Sequence, residues 1–180
     1  MQRVVLVALL GACAAEPEAP VVHTAHFAGD TTAITPDGSV VGTSMMALRV
    51  IVDEGEGTFA VKENFISIHG FPTYLVQTLH VDGAVLSGSW TTVDGSTRLD
   101  GEHEGAIWPW TAWTITATYE TGDYVGASIV TDTTLDAGEI LQSRALLDVQ
   151  GAEELLYEQE LSAVDEATWE ELVDQLDGQG

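Results

Sequence analysis

The chain has 180 residues with a formal net charge of −24, set by 29 acidic residues against five Lys and Arg, and it holds a single cysteine. That length suits one domain with a sizeable core rather than two. The charge repels nucleic acid and anionic headgroups, which excludes polyanion binding and membrane attachment through basic patches, and one cysteine excludes an internal disulfide.

The first element is an export signal: Arg3, an apolar run over 4–10, then small residues. The run is too short to cross a bilayer. Leu10-Gly11-Ala12-Cys13 resembles the lipobox of bacterial lipoproteins. The resemblance implies that 1–12 are removed and that Cys13, the one thiol nucleophile available for lipid transfer, becomes an acylated N-terminus. Ala14 after the cysteine, where Asp is absent, implies outer-membrane sorting if the host is Gram-negative, with the domain in the periplasm or at the cell surface. The alternative is an ordinary secretory signal cut near Ala12-Cys13-Ala14, with the thiol incidental.

Residues 13–23, with Pro17 and Pro20 and no apolar periodicity, read as a short extended tether. Cleavage would leave 168 residues and a charge of −25, with Arg49, Lys62, Arg98 and Arg144 as the remaining strong bases. Attachment to a membrane would then come from the lipid. The acids are scattered rather than set at metal-loop spacing, which favours a solubilising role for them.

From 24 to 180 the sequence alternates short segments rich in Val, Ile, Thr, Tyr and Trp with Gly and Asp punctuation. Met46, Leu48, Val50 and Val52 form one alternating face; Leu75, Leu79 and Val81 form another. Trp113, Ile115, Ala117 and Tyr119 alternate with three threonines, and the pattern returns at Leu141, Ala145, Leu147 and Val149 and at Leu155, Tyr157 and Leu161. Turn residues at 53–57, 81–83, 93–95, 121–123, 136–138 and 150–151 are short enough to join antiparallel neighbours only. The expectation is an all-β fold: an antiparallel up-and-down meander barrel of eight to ten strands, with a β-sandwich as the alternative. A C-terminal helix over 165–177 completes it, with Asp165 as cap and Trp169, Leu172, Val173 and Leu176 as one apolar stripe. Such a helix packs on a sheet or across a barrel mouth. Outer-membrane barrels need longer strands and aromatic girdles, so the apolar faces are expected to point inward.

The constellation with most chemical content is Trp108-Pro109-Trp110-Thr111-Ala112-Trp113. Aromatics at a barrel mouth can line a site for a small apolar ligand, and equally they pack cores. Trp108, Trp110, Trp113, Tyr119 and Tyr157 are the candidate ligand-binding residues. On a regular strand Trp110 and Trp113 would face opposite sides, so one of them would line a lumen. Gly88-Ser89-Trp90 matches the Gly-x-Trp of lipocalins but lies mid-chain, and is read as strand content. The wider resemblance, a meander with a C-terminal helix over 24–176, is to the calycin group, and it implies binding of small lipophilic molecules.

Metal chemistry is not expected. His23 and His26 would point to opposite faces of a strand, and His103 would turn away from Glu102 and Glu104; His69 and His80 read as surface or strand-end residues. There is no nucleophile elbow, phosphate loop or zinc-protease helix. Glu63 and Gln159 fall on otherwise apolar faces and could serve as a base and an orienting amide within a cavity. The resulting expectation is a lipid-anchored barrel that binds a small hydrophobic ligand, without cofactor. The alternatives are an acidic module for unidentified protein partners and, third, a pocket-based hydrolase or isomerase.

Overall fold

The computed structural model describes residues 20–66, 72–92 and 95–178. In chain order the strands are β1 (Val22–Ile34), β2 (Val40–Asp53), β3 (Thr58–Ile66), β4 (Pro72–Asp82), β5 (Val85–Thr92), β6 (Gly95–Glu104), β7 (Ala112–Tyr119), β8 (Ala127–Asp136), β9 (Ile140–Val149) and β10 (Ala152–Val164). The helix α1 (Glu166–Asp177) follows. Each strand pairs antiparallel with the next, and β1 pairs with β10, so the meander closes into a ten-stranded up-and-down barrel. Closure removes the edges that a sheet this wide would otherwise expose, which decides against the sandwich.

Alternation sets the two faces of the wall. Phe27 lies opposite both Leu48 and Ala163, and the odd-numbered residues of β1 face inward as the even-numbered residues of β2 do. The core comprises Phe27, Leu48, Val50, Phe59, Leu79, Leu86, Leu99, Ile115, Leu141 and Leu161 with their neighbours, one contiguous cluster inside the barrel. The turn expected at 93–95 lies largely outside the described residues; the other sequence turns join neighbouring strands. Gln150 and Gly151 both take positive φ, as a two-residue hairpin loop requires, and the Asp148 carboxylate accepts from the Gly151 N–H at 2.6 Å.

Two strand glycines shape the wall. A Cβ on Gly29 would collide with the Glu160 carbonyl, and one on Gly101 with the Thr114 carbonyl, so the backbone comes closer at β1–β10 and β6–β7 than any side chain would permit.

The helix begins where the sequence placed it, with Asp165 Oδ1 accepting from the Thr168 N–H at 2.8 Å. It lies along the outside of β1–β3 instead of across a mouth, with Trp169 and Leu176 buried against Ala47. Charge explains the docking site. Beneath this acidic helix the wall carries Arg49 and Lys62, two of the four basic residues beyond Arg3: Arg49 Cζ is 4.0 Å from the Trp169 ring centroid and Lys62 Nζ 5.0 Å. Arg49 donates to His26 Nε2 at 2.9 Å and reaches Glu166 at 3.5 Å. Burial first, and the Arg49 charge second, hold His26 below the usual histidine range.

Candidate functional site

The lumen has three levels, and the strand register sets which residues share each. At one end the β6–β7 connection folds back over the barrel. Its Thr111 N–H bonds Glu104 and its Thr111 carbonyl accepts from Leu135, which carries Trp108 and Trp110 beneath the strand ends. The Trp110 ring lies 4.9 Å from Phe59 and 5.8 Å from Trp108, while Trp113 lies 5.7 Å from Phe59 and 6.1 Å from Trp108. His103 stacks on Trp110 with ring centroids 3.6 Å apart. Its Nε2 sits 2.9 Å from the Gly83 carbonyl, an acceptor only, so Nε2 carries the proton. With Trp110 and Trp113 at 3% and 4% exposure, this end is a packed aromatic floor.

Here the strand-parity expectation needs correction. Trp110 precedes β7, so alternation does not govern it, and both Trp110 and Trp113 enter the same cluster.

Above the floor runs a polar belt. Thr31 pairs with Gln159, Gln159 with Ser143 and Ser143 with Thr133, an unbroken inward row across β1, β10, β9 and β8. Thr133 Oγ1 and Ser143 Oγ are hydrogen-bonded at 3.0 Å. Glu63 and Gln77 complete the belt from β3 and β4. Together with Gln159, Thr131 and the Thr133–Ser143 pair they line an internal chamber of ≈ 20 Å³, room for one water-sized body. Glu63 is half-buried, and the loss of bulk water around its carboxyl pushes it up to about 7.

The third level is the opposite end, the mouth, from which the connections 67–71 and 93–94 lie outside the described residues. Trp90, Thr97 and Tyr119 form one cross-strand row there, and Ile129, Leu147 and Leu155 another. Trp90, Phe65, Tyr119, Ile129, Leu147 and Tyr157 all face inward but keep partial exposure, unlike the floor residues. Tyr119 packs on Tyr124 at 5.7 Å, and burial raises the Tyr157 phenol above its usual range. Three buried polar atoms at or just below this level, Thr31 Oγ1, Trp90 Nε1 and Thr97 Oγ1, make no hydrogen bond with the described residues.

The five aromatic candidates from the sequence are therefore split. Trp108, Trp110 and Trp113 form the floor, while Tyr119 and Tyr157 belong to the mouth. Glu63 and Gln159, singled out separately, do meet at the belt. Gln77, Thr31, Thr131, Thr133 and Ser143 were missed, although each is a polar residue at an inward-parity position. Cys13 lies outside the described residues, as does His69.

Outside the barrel, strands β6–β10 and β1 form a concave wall of ≈ 920 Å³. Its two outward rows carry Asp30, Glu160 and Glu104, then Glu158, Asp132 and Glu102, with Arg144 in register between Glu158 and Asp132. Acids in the middle of these strands face water, since a lipid-facing wall would leave their charges unsolvated. His23 bonds Glu54 at 3.1 Å on the opposite strand face from His26, and His80 is exposed on β4. Among the described residues no group of three or more His, Cys, Asp or Glu converges.

In comparisons with known proteins, no family model, no curated protein and no solved structure matches the chain.

Proposed function

We propose that this is an envelope-anchored lipoprotein whose lipocalin-like barrel binds a small hydrophobic ligand at the mouth end. The observation that carries the reading is the asymmetry of the lumen: an aromatic floor packed shut, and at the other end inward apolar side chains that remain partly exposed. The unpartnered hydroxyls and indole N–H at or just below that end supply polar handles for a ligand that is not wholly apolar. The binding level thus moves from the tryptophan run to Trp90, Tyr119, Tyr157 and their neighbours. The lipobox-like Leu10-Gly11-Ala12-Cys13 supports the anchor, and the tether would keep the barrel beside the membrane.

Tryptophan fluorescence of the full chain, titrated with an environment-sensitive fatty-acid probe, tests the binding. Saturable, competable energy transfer is expected, and it should weaken in Trp90→Phe; a folded protein that binds no probe would overturn the reading. Fatty-acid labelling of cells tests the anchor, since label that persists in Cys13→Ser would remove it.

A second reading rests on the concave acidic wall, which would suit a cationic protein partner. The hydrolase or isomerase reading finds a carboxyl and an amide together, but their ≈ 20 Å³ chamber has no space for an organic substrate.

A further inference from the structure

We propose that the chamber at the polar belt, lined by Glu63, Gln77, Gln159 and Thr131, is a binding site for one monovalent inorganic cation of about the size of sodium.

Size comes first. At ≈ 20 Å³ the chamber accepts a single water or a single ion and excludes any organic ligand. The donor set comes second. One carboxylate, the amide oxygens of Gln77 and Gln159 and the hydroxyls of Thr131, Thr133 and Ser143 are hard oxygen donors; they share the wall with five apolar side chains and with no sulfur or imidazole, so the set suits an alkali ion rather than a transition metal. Each amide can turn its oxygen inward, and the hydroxyls of Thr133 and Ser143 retain lone pairs beyond their mutual hydrogen bond.

Charge decides the valence. Glu63 is the one ionisable group on the chamber wall, so a monovalent ion leaves the site neutral, whereas a divalent ion would leave an unbalanced positive charge in a low-dielectric interior. Among the described residues no protein cation competes for the place. On β2 and β3, Arg49 and Lys62 point outward to Trp169. The other titratable groups facing the lumen stand at different levels: His103 is held at the floor by Gly83, His23 at the rim of that end by Glu54, and Tyr119 and Tyr157 belong to the mouth. The partly exposed mouth level gives a cation a route inward. This inference stands apart from ligand binding at the mouth, because the two occupants differ in size and lie at different levels.

The test is thermal unfolding of the full chain in sodium chloride and in choline chloride at equal ionic strength, at pH 8. Choline is too large for the chamber and controls for screening of the acidic surface. Sodium is expected to raise Tm above the choline value in a saturable way. Glu63→Gln should lose the sodium increment while remaining folded. Thr131→Val, nearly the same shape, should require roughly tenfold more sodium for half of the effect, as the loss of one oxygen donor implies. An equal sodium increment in wild type and Glu63→Gln would overturn the proposal, because it would place the ion on the surface; so would identical Tm in sodium and choline at pH 8.

Discussion

The two ends of this barrel are built on the same strands and obey the same inward-outward alternation, yet one is packed and the other is not. At the floor a seven-residue connection, 105–111, folds back and brings Trp108 and Trp110 to Trp113 and Phe59, so three tryptophans and a phenylalanine pack ring on ring. At the mouth the described β7–β8 connection brings one ring, Tyr124, against Tyr119, and Trp90, Ile129, Leu147 and Tyr157 stay partly exposed. Alternation therefore builds the wall, and at the floor the β6–β7 loop fills it.

Substitutions can break this contrast. Trp110→Ala should be the most damaging, because it removes the ring in contact with Phe59, Trp108 and His103 from a site that cannot collapse around the gap; a loss of about 3–5 kcal/mol in denaturant unfolding is expected.

Next in size is the belt. Burial raises the Glu63 carboxyl to about 7, so the folded state binds its proton more tightly than the unfolded chain does. That contribution is fully present below about pH 4.5 and is lost as pH rises through about 7. Across this window the stability attributable to Glu63 should fall by about 3 kcal/mol at low sodium. Glu63→Gln should remove that slope, and urea midpoints measured from pH 4 to 8 would check it. The smallest effect is at the mouth. Trp90→Phe keeps most of the ring, so its stability cost should stay below about 1.5 kcal/mol while probe binding weakens, which separates a binding level from a structural one. A modest wall effect sharpens the picture further: Gly29→Ala should cost about 1–3 kcal/mol, since its new methyl meets the Glu160 carbonyl and the backbone must move.

How much of this was legible in the sequence follows from what each feature depends on. Strand alternation, the turn at Gln150-Gly151 and the Asp165 cap are local, and each could be read from a few adjacent residues. The docking of the helix on the wall was less visible. Trp169, Leu172, Val173 and Leu176 announced an apolar stripe, but the target is set by Arg49 and Lys62 more than a hundred positions away. The belt was half visible: Glu63 and Gln159 stood out among apolar neighbours, whereas Thr31, Thr133 and Ser143 resemble the many surface hydroxyls of this chain until the register aligns them. Trp110 escapes strand periodicity because it lies in the loop before β7. Ring closure itself depends on the pairing of β1 with β10, a contact between the two ends of the domain that no local pattern encodes.

The asymmetry is most directly measured by fluorine NMR on the full chain labelled with 5-fluorotryptophan, in the presence of a neutral paramagnetic agent dissolved in the solvent. The account predicts that the Trp90 resonance broadens strongly while those of Trp110, Trp113 and Trp169 are spared. Equal broadening of Trp90, Trp110 and Trp113 would contradict a barrel packed at one end and accessible at the other.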